Sequence, residues 1–379
     1  MLPLSGVRVA EFCQVLAGPF CGALLADMGA DVIKVEPPEG DLMRAWPPMI
    51  DGYSQYFASV NRNKRSVTFD LKSAEGLAAA RALALSADVV IENFRPGVMA
   101  RFGLDYASLS KEKASLVYCS VSAYGQTGPR AAEGGFDMTV QAMSGAMSVT
   151  GEPGGRPAKS GVPIADFSSG LYAAYSIAAA LCKVRSGGEG EYIDVSMLGS
   201  MLGIAHLQTS ELFGTGRDPV PLGSAHPLNA PYAAFRCRDG YFALAAGTNR
   251  HWEAVCEAIA RIDLARDERF ASPTLRARNQ DKLREILEAE FARYDAADLL
   301  ARYRERGVPC APINTYSEVL ADPQVAHMGW VEPMPLPNGA QSKVVISPQR
   351  VSGQRLGVYR EPPALGAHTE EVLRELKRA

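Results

Sequence analysis

Short apolar runs broken by single polar residues open the chain and recur through its first half, at 7–12, 31–36, 64–71, 88–93, 116–121 and 192–195. Their length and β-branched content mark them as strands. Between them, 20–28, 75–86 and 171–182 are longer, rich in alanine and leucine and free of proline, which is the pattern of helices. Pro19 is suited to a first helical turn, Gly29 to a helix end and Ser73 to a helix cap. Strands alternating with helices at this spacing predict an α/β fold, a Rossmann-like large domain on a mainly parallel sheet with right-handed crossovers. Ligands bind such sheets beyond the carboxyl ends of the strands. Gln14, Glu36, Asn93, Tyr124 and Asp166 all fall just past expected strand ends.

The pattern changes after residue 195. A methionine-rich apolar segment, 196–213, predicts one buried helix, and 214–231, rich in Gly and Pro, reads as a connection. Arg238-Asp239-Gly240 between apolar runs predicts a hairpin, followed by helices over 252–262, 280–294 and 296–305. The stretch 308–314 reads as a strand returning to the large sheet, with further strands near 329–332 and 343–347 and a last helix over 370–377. The expected division is a large domain of 1–200 and 311–379, a linker of 201–224, and a smaller α+β domain of 225–310.

Composition narrows the function. A net charge of −3 gives no support to nucleic-acid binding, and 47% apolar with 21% charged residues is ordinary for a globular enzyme. Seven scattered cysteines without Cys-x-x-Cys read as thiols of a reducing compartment. Single histidines without ligand spacing argue against a metal site. The turn after the first strand lacks Gly-x-Gly-x-x-Gly, so no nicotinamide or flavin cofactor is expected, and no other tightly bound one. The first residues lack the basic and apolar regions of a signal peptide, and no apolar stretch is long enough to cross a bilayer. A soluble cytoplasmic protein without a membrane partner is the expectation.

The stretch Gly161-Val162-Pro163-Ile164-Ala165-Asp166 carries the candidate chemistry. Read as a strand end followed by a helix, it places Asp166 at the N-cap. There it either only caps the helix, or, kept ionised by the free N–H groups, serves as a nucleophile toward a bound acyl compound. The basic cluster Asn61-Arg62-Asn63-Lys64-Arg65 is open in the same way, between a solvated turn and a phosphate-holding site.

Several motifs together, Leu16-Ala17-Gly18-Pro19, Gly29 through Glu36, Asn63-Lys64-Arg65-Ser66, Glu92-Asn93-Phe94-Arg95-Pro96-Gly97 and Gly161 through Asp166, resemble the class III CoA-transferases. Formyl-CoA and carnitine CoA-transferases belong there, with the related α-methylacyl-CoA racemases, and the resemblance spans nearly the whole chain. It implies a large domain built from both chain ends and a homodimer of interlocked rings. It further implies coenzyme A and acyl-CoA as substrates, exchanged with small carboxylic acids through aspartyl anhydride and aspartyl-CoA thioester intermediates on Asp166. By position, Asn93 and Arg101 match CoA contacts, with Lys34, Arg65 and Tyr124 beside them; Leu16, Trp46, Tyr56, Phe136 and Asp137 fall at the substrate pocket.

The departures are informative. Leu16 replaces an active-site glutamine of formyl-CoA transferase, Pro37 replaces a CoA-binding arginine, and the tetraglycine loop is absent, which argues against a formyl/oxalyl pair. Racemases of the family use Gly-His-Asp, where this chain has Gly135-Phe136-Asp137, and a small-domain glutamate, where 246–250 has no carboxylate. Phenylalanine cannot shuttle a proton, so an acyl-CoA racemase is the disfavoured alternative, as is a non-catalytic CoA-binding protein. Arg44 and Arg62, each able to hold a second carboxylate, suggest a succinyl-CoA-like donor.

Overall fold

In the computed structural model, which describes residues 1–378, the chain forms two compact units. The first comprises 1–146, 159–217 and the chain from Pro323 onward; the second comprises Met147–Ala158 and Asp218–Asp322. The expected boundaries lay at 224/225 and 310/311, and the piece 147–158 was not foreseen as part of the second unit.

The first unit is built on six parallel strands: β1 (Arg8–Phe12), β2 (Asp31–Glu36), β3 (Arg65–Thr68), β4 (Val89–Glu92), β5 (Val117–Ser122) and β6 (Tyr192–Ser196), in the order β3-β2-β1-β4-β5-β6. Successive residues of each strand face opposite sides, and both sides are apolar, as a parallel sheet covered on two faces requires. Val9, Val32, Val89 and Val117 pack under helices α1 (Ala17–Asp27) and α5 (Ile164–Arg185). Ala10, Ile33, Val90 and Tyr118 pack under α3 (Ala74–Ser86) and under Val372 of the last helix, Thr369–Leu376. The helix α2 (Gln55–Asn61) packs through Phe57 and Val60 on Leu16 and Phe20. Strand order reverses direction between β1 and β4, so the crevice expected for a ligand opens beyond Phe12 and Glu92.

Three expectations fail here. Residues 162–165 are not a strand: Val162 and Pro163 are loop, and the helix begins at Ile164. The segment 196–213 is two helices, α6 (Met197–Ile204) and α7 (His206–Thr215); α6 buries Met197 and Met201, but α7 buries no residue. Apolar composition suggested a core helix, yet Leu207 and Phe213 are 77% and 84% exposed. Finally, 308–314 does not rejoin the large sheet. In the second unit, β7 (Tyr232–Cys237), β8 (Gly240–Ala245) and β9 (Cys310–Pro312) form an antiparallel sheet in the order β9-β8-β7, the first two joined by the foreseen hairpin. Phe235, Phe242, Trp252, Leu287, Phe291 and Tyr303 make its separate core. No helix among the described residues is long and apolar enough to cross a membrane.

Candidate functional site

The crevice at the strand reversal is shaped by its own sequence. Asn93, the residue after β4, grips the backbone after β1: its Oδ1 accepts the Gln14 N–H at 2.9 Å and its Nδ2 donates to the Gln14 carbonyl at 2.8 Å. The next residue, Val15, has φ +65°, a conformation that a β-branched side chain adopts only when its surroundings impose it. What imposes it is buried charge. Asp41 accepts the Val15 N–H, Lys34 Nζ donates to the Cys13 carbonyl at 2.7 Å, and Lys34 pairs with Asp41 and Glu11 at 2.9 and 3.3 Å. Lys64 closes the cluster on Glu11 at 2.8 Å.

This network overturns part of the expected site. Lys34 is wholly buried between two carboxylates; burial alone would favour its neutral form, but Asp41 and Glu11 outweigh it and raise its pKa. Arg65 is buried against Asp31, Glu371 and Glu375. Neither presents its charge to a ligand. The cluster 61–65 is thus neither a solvated turn nor a phosphate site: all five residues are buried. Arg44 and Arg62 are also engaged, Arg44 bidentate on Glu36 at 2.7 Å and Arg62 on Asp27 at 2.5 Å, so neither is free for a second carboxylate. Sequence alone could not separate buried pairs from free cations: Arg62 and Arg65 find their partners tens to hundreds of residues away, and Arg44 and Lys34 pair with nearby carboxylates only because the fold turns them together.

Two guanidiniums close to Asn93 in sequence are unpaired. Arg101 ends the short helix Val98–Arg101 exposed, and Arg95, in the turn after Asn93, is exposed; neither has an ion pair among the described residues. Arg95 was not singled out by the sequence. It lines a cleft of about 190 Å³ with Asn93, Ser122, Gly134 and Phe136. It also borders a second of about 300 Å³, with Glu92, Tyr106 and Tyr192. Glu92, likewise not foreseen, is buried, and burial lifts its pKa to about 7 although the Ser120 side chain and the Phe94 N–H bond to it. Tyr124 faces a separate groove of about 500 Å³ with Tyr172, Asp194 and Gly199. Trp46 and Tyr56 are exposed, Leu16 is half-buried, and Phe136 is 75% exposed.

Asp166 occupies the first turn of α5, as its third residue, so it is not the cap. The helix start is held by another carboxylate. Asp137, first residue of α4 (Asp137–Met143), accepts the Ala165 N–H at 2.9 Å, a bond a helix N-terminus otherwise leaves unmade. Beneath lies a small apolar cluster of Ala123, Val140, Ala165, Met197 and Met201. Gly135 is needed there because a Cβ would sit 2.7 Å from that of Ala123. On the other side Phe167 meets Phe20 edge-on at 4.7 Å.

The Asp166 carboxylate itself accepts no hydrogen bond from the described residues. Burial, then the neighbouring Asp137 charge, raises its pKa from an ordinary 3.8 to about 7. The expectation of a carboxylate kept fully ionised by the helix start is therefore corrected. The helix field is worth about 0.3–1 kcal/mol, less than burial and a like charge oppose to it. An unbonded, half-buried carboxylate of raised basicity does no structural work. It fits a nucleophile or a proton carrier. Among the described residues there is no cluster of His, Cys, Asp and Glu that could hold a metal ion.

The CoA-transferase family III sequence model matches residues 4–369. A succinate–glutarate CoA-transferase of Agrobacterium fabrum is 42% identical over 99% of this chain and 96% of its own. A succinyl-CoA:mesaconate CoA-transferase of Haloarcula hispanica is 36% identical over 98% and 96%. Among solved structures, a CAIB/BAIF family protein from Brucella suis superposes with a TM-score of 0.88, at 39% identity and over 99% of both chains.

Proposed function

Since the chain belongs to CoA-transferase family III and is an enzyme of that class, we propose that it exchanges CoA between two dicarboxylic acids, with succinyl-CoA as donor and Asp166 as the covalent carrier. The observation that carries the carrier role is the Asp166 carboxylate, unbonded and half-buried in the first turn of α5. A raised pKa makes its anion a stronger nucleophile than an exposed aspartate, while leaving an appreciable ionised fraction near neutrality.

In the first step an Asp166 oxygen attacks the thioester carbonyl, and the C–S pair leaves on sulfur, giving an anhydride and CoA thiolate. The thiolate then attacks the Asp166 carbonyl, the donor acid leaves as its carboxylate, and Asp166 holds CoA as a thioester. An acceptor carboxylate reverses the two steps. Each bond broken is replaced by one of similar energy, so the exchange needs no external energy source. Both intermediates hydrolyse if water enters, so the site must close over them.

Binding falls to residues free to bind. Arg95 and Arg101 offer guanidiniums to the anionic groups of CoA, and Asn93 fixes the crevice wall by holding Gln14. The dicarboxylate preference rests on the relatives acting on succinate, glutarate and mesaconate, not on Arg44 or Arg62. A homodimer is part of the proposal: α7 lies fully at the surface with Leu207 and Phe213 outward, a face that a second copy of the chain would cover.

Incubation with succinyl-CoA and a panel of free acids, read by mass, tests the reading. New acyl-CoA is expected from glutarate and from other dicarboxylates of similar length. Exchange with acetyl-CoA and monocarboxylates but none with succinyl-CoA would refute the donor.

A further inference from the structure

Asp137 is held from two sides. Its Oδ1 accepts the Ala165 N–H at 2.9 Å and its Oδ2 accepts Gln141 Nε2 at 2.7 Å. Gln141 is itself buried, and its Oε1 accepts the Ser160 N–H at 2.8 Å. With both oxygens bonded the carboxylate is fixed in place, beside the residue that follows Ala165. The other groups on the elements packed against α5 are these: Cys21 and Asp27 of α1, Tyr118 and Cys119 of β5, and Tyr192 and Asp194 of β6, with none on α6. Asp27 is neutralised by Arg62, and Asp194 accepts the Gln126 N–H. Asp137 is the charge that acts on Asp166.

We propose that Asp137 is a positioning residue for CoA transfer, clamping the start of α5 and setting a fixed negative charge beside Asp166 that is relieved when Asp166 becomes acylated. This rests on Asp166 being the carrier. In the attack, one Asp166 oxygen forms the C–O bond, the C–S bond breaks, and the negative charge passes from Asp166 to the CoA sulfur. No proton or further reagent enters. Before attack two carboxylates share the site; afterwards one does. The repulsion between the two carboxylates is therefore present in the free enzyme and absent from the anhydride, where the charge sits on the CoA thiolate, and this favours attack. Its second effect is on pH, since the same charge delays ionisation of Asp166.

The test is the pH profile of kcat/KM for succinyl-CoA. Asp137→Asn leaves an oxygen to accept the Ala165 N–H but removes the charge. Its midpoint should fall by about one pH unit or more, with a lower plateau rate. Asp137→Ser, neutral and smaller, should shift the midpoint likewise, and Asp137→Glu should keep it high. A folded neutral variant with an unmoved midpoint overturns the proposal. So does an ordinary aspartate midpoint for the Asp166 carboxyl carbon in the wild-type protein, read by NMR titration. Asp166→Asn separates this from the reading beneath it: transfer by that variant removes Asp166 as carrier. Its inactivity, with unmoved midpoints at Asp137, removes only the role of Asp137.

Discussion

Replacing Asp166 with Asn should make the protein more stable and inactive at once. The amide keeps the shape of the carboxylate, and no cap or hydrogen bond of that side chain is lost. What is lost is a charge the site repels. Moving a carboxyl from 3.8 to about 7, at roughly 1.4 kcal/mol per pH unit, costs the folded state at most about 4 kcal/mol when Asp166 is ionised. Solvent relaxation around a half-buried group reduces this to about 1–3 kcal/mol. The sign follows from linkage. Between about pH 4 and pH 7 the folded protein retains a proton that the unfolded chain has released, so stability falls as pH rises through that window. Above about pH 7 the full cost is present; below about pH 4 both states are protonated and it vanishes. Asp166→Asn should therefore melt with the wild type in acid and above it in weak base, by a few degrees. Transfer should fall by at least about 10³-fold. Thermal melts across pH and a CoA exchange assay read both. A variant less stable than wild type in weak base would show that the carboxylate is not strained.

Other substitutions separate the buried charges from the free ones. With ionised Asp166 as the proposed attacking group, wild-type kcat/KM should rise with pH through about 7 and then level; a flat pH profile would argue against it. Arg95→Ala should raise KM for acyl-CoA about tenfold, equivalent to ~1.4 kcal/mol, with Tm unchanged, whereas an unchanged KM would exclude a binding role. Lys34→Met leaves buried Asp41 without a cation and Glu11 with Lys64 alone, and should lower stability by about 3–5 kcal/mol, read by denaturant unfolding. Leu207→Glu with Phe213→Glu should reduce the mass in solution from dimer to monomer; a wild type already monomeric would refute the interface.

The parallel sheet was legible because its strands are apolar on both faces and lie between helices of clear period. The two helices of 196–215 were not, since apolar composition does not say which surface covers it, and the exposed α7 reads like a core helix. The motif around it singled out Asp166 as a candidate, but its surroundings were misread. The helix begins at Ile164 where a strand was expected, and its Ala165 N–H is taken by Asp137, 28 residues before Ala165 in sequence. The basic residues were the least legible. Lys34, Arg44, Arg62 and Arg65 look the same in sequence as Arg95 and Arg101, and only the partners supplied by the fold tell them apart.

Whether CoA is carried on Asp166 is read by intact-mass and peptide analysis after brief incubation with succinyl-CoA, with and without hydroxylamine. A protein heavier by CoA less water, localised to Asp166, is expected, with conversion of that residue to a hydroxamate when hydroxylamine is present. Covalent CoA on another residue, or steady turnover with no covalent species and no hydroxamate at Asp166, would contradict it.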